Sequence, residues 1–176
     1  MKELKDYIKS IPNFPKEGII YRDVTSVLED AEGYALAIDE MNKLLCGEDY
    51  DLIAGAESRG FIFGAPLAYI NKKGFIPVRK KGKLPRETVC VSYDLEYGSN
   101  EIEIHTDAIK PGDRVVLVDD LIATGGTIEA ACKLVEQLGG EVVKIIFLIE
   151  LPALGGRKLL EAKGYKVCTL VSFDGE

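Results

Sequence analysis

Apolar positions along the chain change period repeatedly, and the changes mark out its elements. Leu4, Tyr7 and Ile8 share one helical stripe, so the first nine residues are expected to form a short helix that ends before Pro12. The segment that follows, IPNFPKEGIIYRDVTSVL, holds neither period and is expected to be irregular. Tyr34, Ile38, Met41 and Leu45 then recur on one face of an amphipathic helix. Residues 51–56 read as a short buried strand, 60–70 as a helix and 75–78 as extended. The run RVVLVDD at 114–120 is nearly continuous and β-branched, as strands of parallel sheets are, and Pro111-Gly112 turns the chain into it. Ile128, Ala131, Val135 and Leu138 form another helical stripe, which Gly139-Gly140 ends before a strand at 142–149. Residues 89–93 and 102–106 alternate instead, as an antiparallel pair around EYGSNE would, and predict a hairpin standing off the main sheet. Strands alternating with helices imply βαβ units with right-handed crossovers. The predicted fold is therefore α/β, an open parallel sheet flanked by helices, with ligands gathered at the carboxyl ends of the strands.

The segment with the most chemistry is VVLVDDLIATGGT, at 115–127, where an apolar strand runs into two carboxylates and then into small, hydroxyl-bearing residues and glycines. Gly125 and Gly126 let the backbone approach a ligand closely, and the amides from Ala123 to Thr127, at the positive end of the next helix, suit a phosphate. Thr124 and Thr127 add hydroxyl donors. Asp119 and Asp120 are placed to accept hydrogen bonds from the hydroxyls of a ribose. Neither G-x-x-x-x-G-K-[ST] nor G-x-G-x-x-G occurs, which removes the main support for ATPase and dinucleotide readings.

Composition adds bounds. The 176 residues fit a single domain, expected to span 1–176. Twenty-two Lys and Arg against 29 Asp and Glu leave a net charge of −7, which opposes binding to nucleic acid or an anionic membrane. Any anionic ligand must be held by a local cluster, and Arg79, Lys80, Lys81, Lys83 and Arg86 provide one. The opening MKELKDYIKSIPNFP lacks the apolar core of a signal peptide and no stretch is long enough for a membrane span, so a cytoplasmic location is expected. Cys46, Cys90, Cys132 and Cys168 lie far apart and are expected to be reduced; with His105 the sole imidazole, a structural zinc site is not expected. His105 reads as a surface or hairpin histidine and receives no role.

By its full pattern, VVLVDDLIATGGT closely resembles the phosphoribosyl pyrophosphate signature of the phosphoribosyltransferases. Three further segments are similar to the adenine phosphoribosyltransferases. FPKEGIIYRDVTSVL resembles the family's base-binding segment, which implies base contacts from Ile20, Tyr21 and Arg22, with Leu151 on the other side of the base. AGAESRGFIFG looks like its pyrophosphate loop, which implies roles for Glu57, Ser58 and Arg59 and a cis peptide at Glu57-Ser58. RKKGKLPRETVCVSYDLEYGSNEIEIH resembles its flexible hood, an insertion at about 79–106 that brings Arg79, Lys80 and Lys83 to the donor and Glu96 of the L-E-Y-G element to the base. The resemblance implies a purine salvage transferase that joins adenine to phosphoribosyl pyrophosphate and releases AMP and pyrophosphate. Glu96, Arg59, Asp119 and Asp120 would be its catalytic residues, with Mg2+ held through substrate oxygens rather than by a dedicated protein site, and the assembly a homodimer with Arg79 and Lys80 near the boundary. Two alternatives stay open on the sequence: a transferase for hypoxanthine, guanine, xanthine or orotate, and a regulator of the same fold that senses the donor. Against the regulator, no basic helix-turn-helix precedes the domain.

Overall fold

A computed structural model describes residues 2–94 and 98–175. The chain opens with a 3-10 turn, Leu4–Tyr7, and then β1 (Lys9–Pro12) pairs antiparallel with β2 (Ile20–Asp23). Both expectations for this region are corrected. The helix is confined to one turn, and the segment read as irregular is a small hairpin followed by α1 (Thr25–Leu28). A four-residue strand with one partner offers too few positions for its alternation to stand out.

Next come α2 (Ala31–Lys43), β3 (Leu52–Ala56), α3 (Arg59–Ile70) and β4 (Gly74–Lys80), close to the predicted limits. Asp30 caps α2 by accepting from the amides of Glu32 and Gly33, both at 3.0 Å. The hairpin β5 (Thr88–Asp94) and β6 (Ser99–His105) follows, then β7 (Arg114–Ile122), α4 (Gly126–Gln137), β8 (Glu141–Glu150), α5 (Gly156–Ala162) and β9 (Val167–Ser172). One seven-stranded sheet has the order β5-β6-β4-β3-β7-β8-β9. Its five strands from β4 to β9 run parallel, and β5 and β6 extend one edge antiparallel. The predicted hairpin exists but does not stand apart: Arg79 pairs with Glu103 and Lys80 with Ile102, which joins it to the sheet through the end of β4.

Period-two alternation sorts the buried residues onto two faces. Val116 and Val118 of β7 pack with Ile53 and with α2 and α3 (Ile38, Met41, Phe63, Leu67). Val115 and Leu117 pack on the other face with α4 (Ile128, Ala131, Leu134, Val135) and with Leu160 of α5. Each such side chain, fully withdrawn from water, contributes about 1.5–3 kcal/mol. The helix after β3 and the helix after β7 therefore leave the sheet on opposite sides. The crevice between the carboxyl ends of β3 and β7 is the point where the winding reverses, where open α/β sheets take their ligands.

Candidate active site

Two chain segments leave that crevice from neighbouring strands. At the end of β3, the cis peptide Glu57-Ser58 leads straight into Arg59, the first residue of α3. At the end of β7, Asp119 and Asp120 precede the loop that enters α4 at Gly126. The two meet because Gly60 has no side chain: a Cβ there would lie 2.9 Å from the Val118 carbonyl and 3.0 Å from Asp119 Oδ1. Arg59 Nε donates to Asp120 Oδ2, and the Asp120 amide donates to Asp119 Oδ1 at 2.9 Å. Burial, then the neighbouring charge of Asp120, pushes the Asp119 carboxyl well above the usual range.

One polar cavity is lined by Glu57, Ser58, Arg59, Lys80, Tyr93, Asp119, Asp120 and Thr127. A second, which shares Asp119 and Thr127 with it as lining residues, follows the loop from Leu121 to Ile128, and so includes Ala123, Thr124, Gly125 and Gly126. Gly125 holds this loop in a left-handed conformation, φ +88°, which releases the first amides of α4 toward the cavity. A third cavity, largely apolar, is lined by Ile19, Ile20, Leu151, Ala153, Leu154 and Gly175.

Glu57 lines the polar cavity and also makes ion pairs that its position in the sequence does not reveal. Its carboxylate accepts from Lys83 Nζ at 2.6 Å, from the Lys80 amide at 3.0 Å and from Arg79 Nε at 3.2 Å. Burial alone would raise this carboxyl, but the three donors outweigh it and bring it down to about 2. Glu57 is therefore a counter-ion to Arg79 and Lys83, neither of which lines the polar cavity. A carboxyl whose folded pKa lies below its ordinary 4.5 stabilises the fold above that value, and the contribution is lost as pH falls toward about 2. Thermal melts between these limits are expected to fall more steeply for the wild type than for Glu57→Gln; parallel curves would contradict the assignment.

The remaining residues divide. Ile20 and Leu151 both line the apolar cavity. Tyr21 packs edge-on against Phe14, with ring centroids 5.2 Å apart. The Arg22 guanidinium lies 4.2 Å from the Phe173 ring and donates to Ser10 Oγ, so only its main chain is turned to other uses. Glu96 lies outside the described residues. His105 ends β6 and so is a hairpin histidine, one of the two expected readings, but at 8% exposed, with its Nε2 accepting from the Arg86 amide at 3.4 Å, it is not a surface one. Its alternating strand lies against the 81–88 turn, a burial that periodicity cannot foresee.

Sequence reasoning missed three contributors. Tyr93 accepts a hydrogen bond from Thr127 Oγ1 at 3.2 Å and lines the polar cavity; its place in an alternating strand was the available signal. Phe147, in the middle of β8, floors the loop cavity. Arg157, at the start of α5, makes a two-pronged pair with Glu150 at the end of β8. No group of three or more His, Cys, Asp or Glu side chains gathers as a metal site among the described residues. Nor is any described helix long and apolar enough to cross a membrane.

Known proteins share this fold and much of this sequence. Residues 25–175 match the model of the phosphoribosyl transferase domain. The adenine phosphoribosyltransferase of Agathobacter rectalis is 64% identical over the full length of both chains, and that of Butyrivibrio fibrisolvens is 66% identical over 97% of this chain and 94% of its own. Among solved structures, the adenine phosphoribosyltransferase of Thermoanaerobacter pseudethanolicus superposes with a TM-score of 0.91 at 55% identity, covering 97% of this chain and 98% of that one. The Saccharomyces cerevisiae enzyme, solved with an imino-altritol bisphosphate and adenine, gives a TM-score of 0.87 at 41% identity over 94% and 95% of the two chains. By fold, by the acidic strand end with its glycine loop, and by likeness along its whole length, the chain belongs to the adenine phosphoribosyltransferases.

Proposed function

We infer that this chain transfers the 5-phosphoribosyl group of phosphoribosyl pyrophosphate to adenine, giving AMP and pyrophosphate in purine salvage. The observation that carries the reading is that the polar cavity and the amide-lined loop share Asp119 and Thr127 as walls, while the apolar slot reaches the same loop through Leu151, whose amide donates to the Ile122 carbonyl. The loop 123–127 takes the 5-phosphate, and Asp119 and Asp120 take the ribose hydroxyls. Ile20 and Leu151 enclose the base, with the Tyr21 ring and the main chain at Arg22 at its edge. Arg59, Lys80 and the Ser58 amide receive the pyrophosphate, and Arg79 and Lys83 reach it by exchanging partners with Glu57.

In the reaction a base nitrogen forms a bond to the anomeric carbon while the bond from that carbon to the pyrophosphate oxygen breaks, and the base gives up one proton. Glu96 accepts that proton or hydrogen-bonds to the site that loses it. Positive charge developing on the ribose ring lies close to Asp119, which favours its ionised form at that moment and so stabilises the transition state selectively. The hood, at about 79–106 within a single 1–176 domain, excludes the water that would hydrolyse the donor. The residues also fit Mg2+: a hard ion that keeps most of its waters needs only one or two carboxylates besides substrate oxygens, and Asp119 and Asp120 offer them at the cavity wall. When bound, the ion neutralises the departing pyrophosphate.

The functional unit is a homodimer in the cytoplasm. Ile62, Ala65, Tyr69 and Ile70 form an apolar stripe on the outer side of α3, with Tyr69 85% exposed, and a second copy would cover it. Assay with labelled bases tests the central reading. Conversion of adenine to AMP is expected to depend on both donor and Mg2+, and to exceed conversion of hypoxanthine, guanine, xanthine or orotate by at least about 100-fold, since the polar groups of a mismatched base would be left unpaired. Preference for another base would overturn the assignment, and DNA binding without transfer would favour the regulator.

A further inference from the structure

The Glu150–Arg157 pair is more elaborate than a helix end requires. Glu150 is the last residue of β8 and 7% exposed. Both of its oxygens accept from Arg157 Nε, at 2.9 and 3.0 Å, and Oε2 accepts also from Arg157 Nη2 at 2.7 Å and from Thr169 Oγ1 at 2.9 Å. Arg157 donates further to the Thr169 hydroxyl at 2.8 Å and to the Val167 carbonyl at 2.9 Å. The carboxyl is held below its ordinary value, mainly by Arg157.

Between the two partners lies the short segment 151–156, whose Leu151 and Leu154 line the apolar slot. The same segment is stitched to the end of β7 at both its ends. The Leu151 amide donates to the Ile122 carbonyl at 3.1 Å, and the Gly156 amide donates to the Ala123 carbonyl at 3.0 Å. Gly125, the left-handed residue of the phosphate loop, packs on the Gly156 backbone. A side-chain pair thus joins the two ends of this segment, which lies between the wall of the slot and the 123–127 loop.

We propose that Arg157 and Glu150 are positioning residues that fix the distance and angle between the base wall and the phosphate loop, so that one ligand can satisfy both at once. The proposal rests on the reading of those two places as base and 5-phosphate sites. Its signature is coupling. AMP spans both sites, whereas adenine and ribose 5-phosphate each touch one. If the two sites were independent, a change in AMP affinity would equal the product of the changes in its two parts. Loss of the clamp instead misplaces one site relative to the other, and a misplacement of this kind costs about 100-fold where both must be met together.

Titration calorimetry of Arg157→Ala and Arg157→Lys with AMP, adenine and ribose 5-phosphate tests this. Both variants are expected to weaken AMP by at least about tenfold more than the product of the two partial losses, with kcat falling and ribose 5-phosphate still bound. Lysine is expected to rescue little, because it cannot make the two-pronged contact. Retained ribose 5-phosphate binding also shows that the variants are folded. An AMP loss no greater than the product overturns the clamp while leaving the base and phosphate sites intact. A Leu151→Asp variant that binds adenine as the wild type does would bring down the reading of the slot, and the clamp with it.

Discussion

Replacing Asp119 and Asp120 together by asparagine is expected to lower kcat/KM for AMP formation on the order of 1,000-fold or more while leaving the melting temperature close to that of the wild type. The asymmetry follows from the environment of each carboxyl. Asp119 is destabilised as an anion by burial and by Asp120, so a neutral isostere relieves an unfavourable charge in the folded protein. Asp120 is 4% exposed and paired with Arg59, but the Arg59 side chain is 48% exposed, so water takes over part of what the lost partner supplied. Stability therefore changes little. Catalysis loses both acceptors for the ribose hydroxyls and the negative field beside the carbon that gains positive charge. Steady-state assay with labelled adenine and parallel thermal melts measure the two quantities. Turnover at the wild-type level would refute the placement of the ribose, and a collapse of stability would show that the carboxylates serve the fold instead.

Gly156→Ala is expected to raise KM for the donor by at least about tenfold and to destabilise the protein by about 1–3 kcal/mol, although alanine is the better helix former. A Cβ at this first position of α5 would fall 2.4 Å from the Ala123 carbonyl oxygen, 2.8 Å from Ile122 Cγ1 and 3.0 Å from the Gly125 amide. Two of these three neighbours are backbone of the 123–127 loop, so the clash is relieved only by moving the amides proposed to hold the 5-phosphate. The propensity gain of about 1 kcal/mol does not offset that displacement. Gly155→Ala is the informative comparison. At φ +77° with open space around it, an added methyl meets no atom, and the cost is confined to the left-handed backbone, about 1–2 kcal/mol. The two variants are thus expected to lose similar stability, with only Gly156→Ala losing affinity for the donor. Equal donor KM values for both would mean that α5 does not support the loop.

Local pattern reveals some of these features and hides others. RVVLVDD was legible as a buried parallel strand because both its faces are covered, and a continuous apolar run that ends in acids suits few environments besides the carboxyl end of such a strand. The pairing of Asp120 with Arg59 joins residues 61 positions apart and depends on Gly60 admitting the backbone of β7, which no local pattern records. The basic run at 79–83 was legible as charge, but not that Glu57 pairs with its Arg79 and Lys83, since β3 and β4 must first lie side by side in the sheet. The β1–β2 hairpin escaped because its strands are only four residues each and residues 13–19, with Pro15, separate them. Arg157 carries no local signal of its role; only the return of β9 beside β8 brings Thr169 and Val167 around it.

The most direct measurement is a crystal structure of the chain with Mg2+ and phosphoribosyl pyrophosphate. The 5-phosphate is expected within hydrogen-bond distance of the amides of residues 124–127, the ribose hydroxyls on Asp119 and Asp120, and the pyrophosphate beside Arg59 and Lys80. A donor seated away from the end of β7, with that loop making no contact to phosphate, would contradict this placement and the function inferred from it.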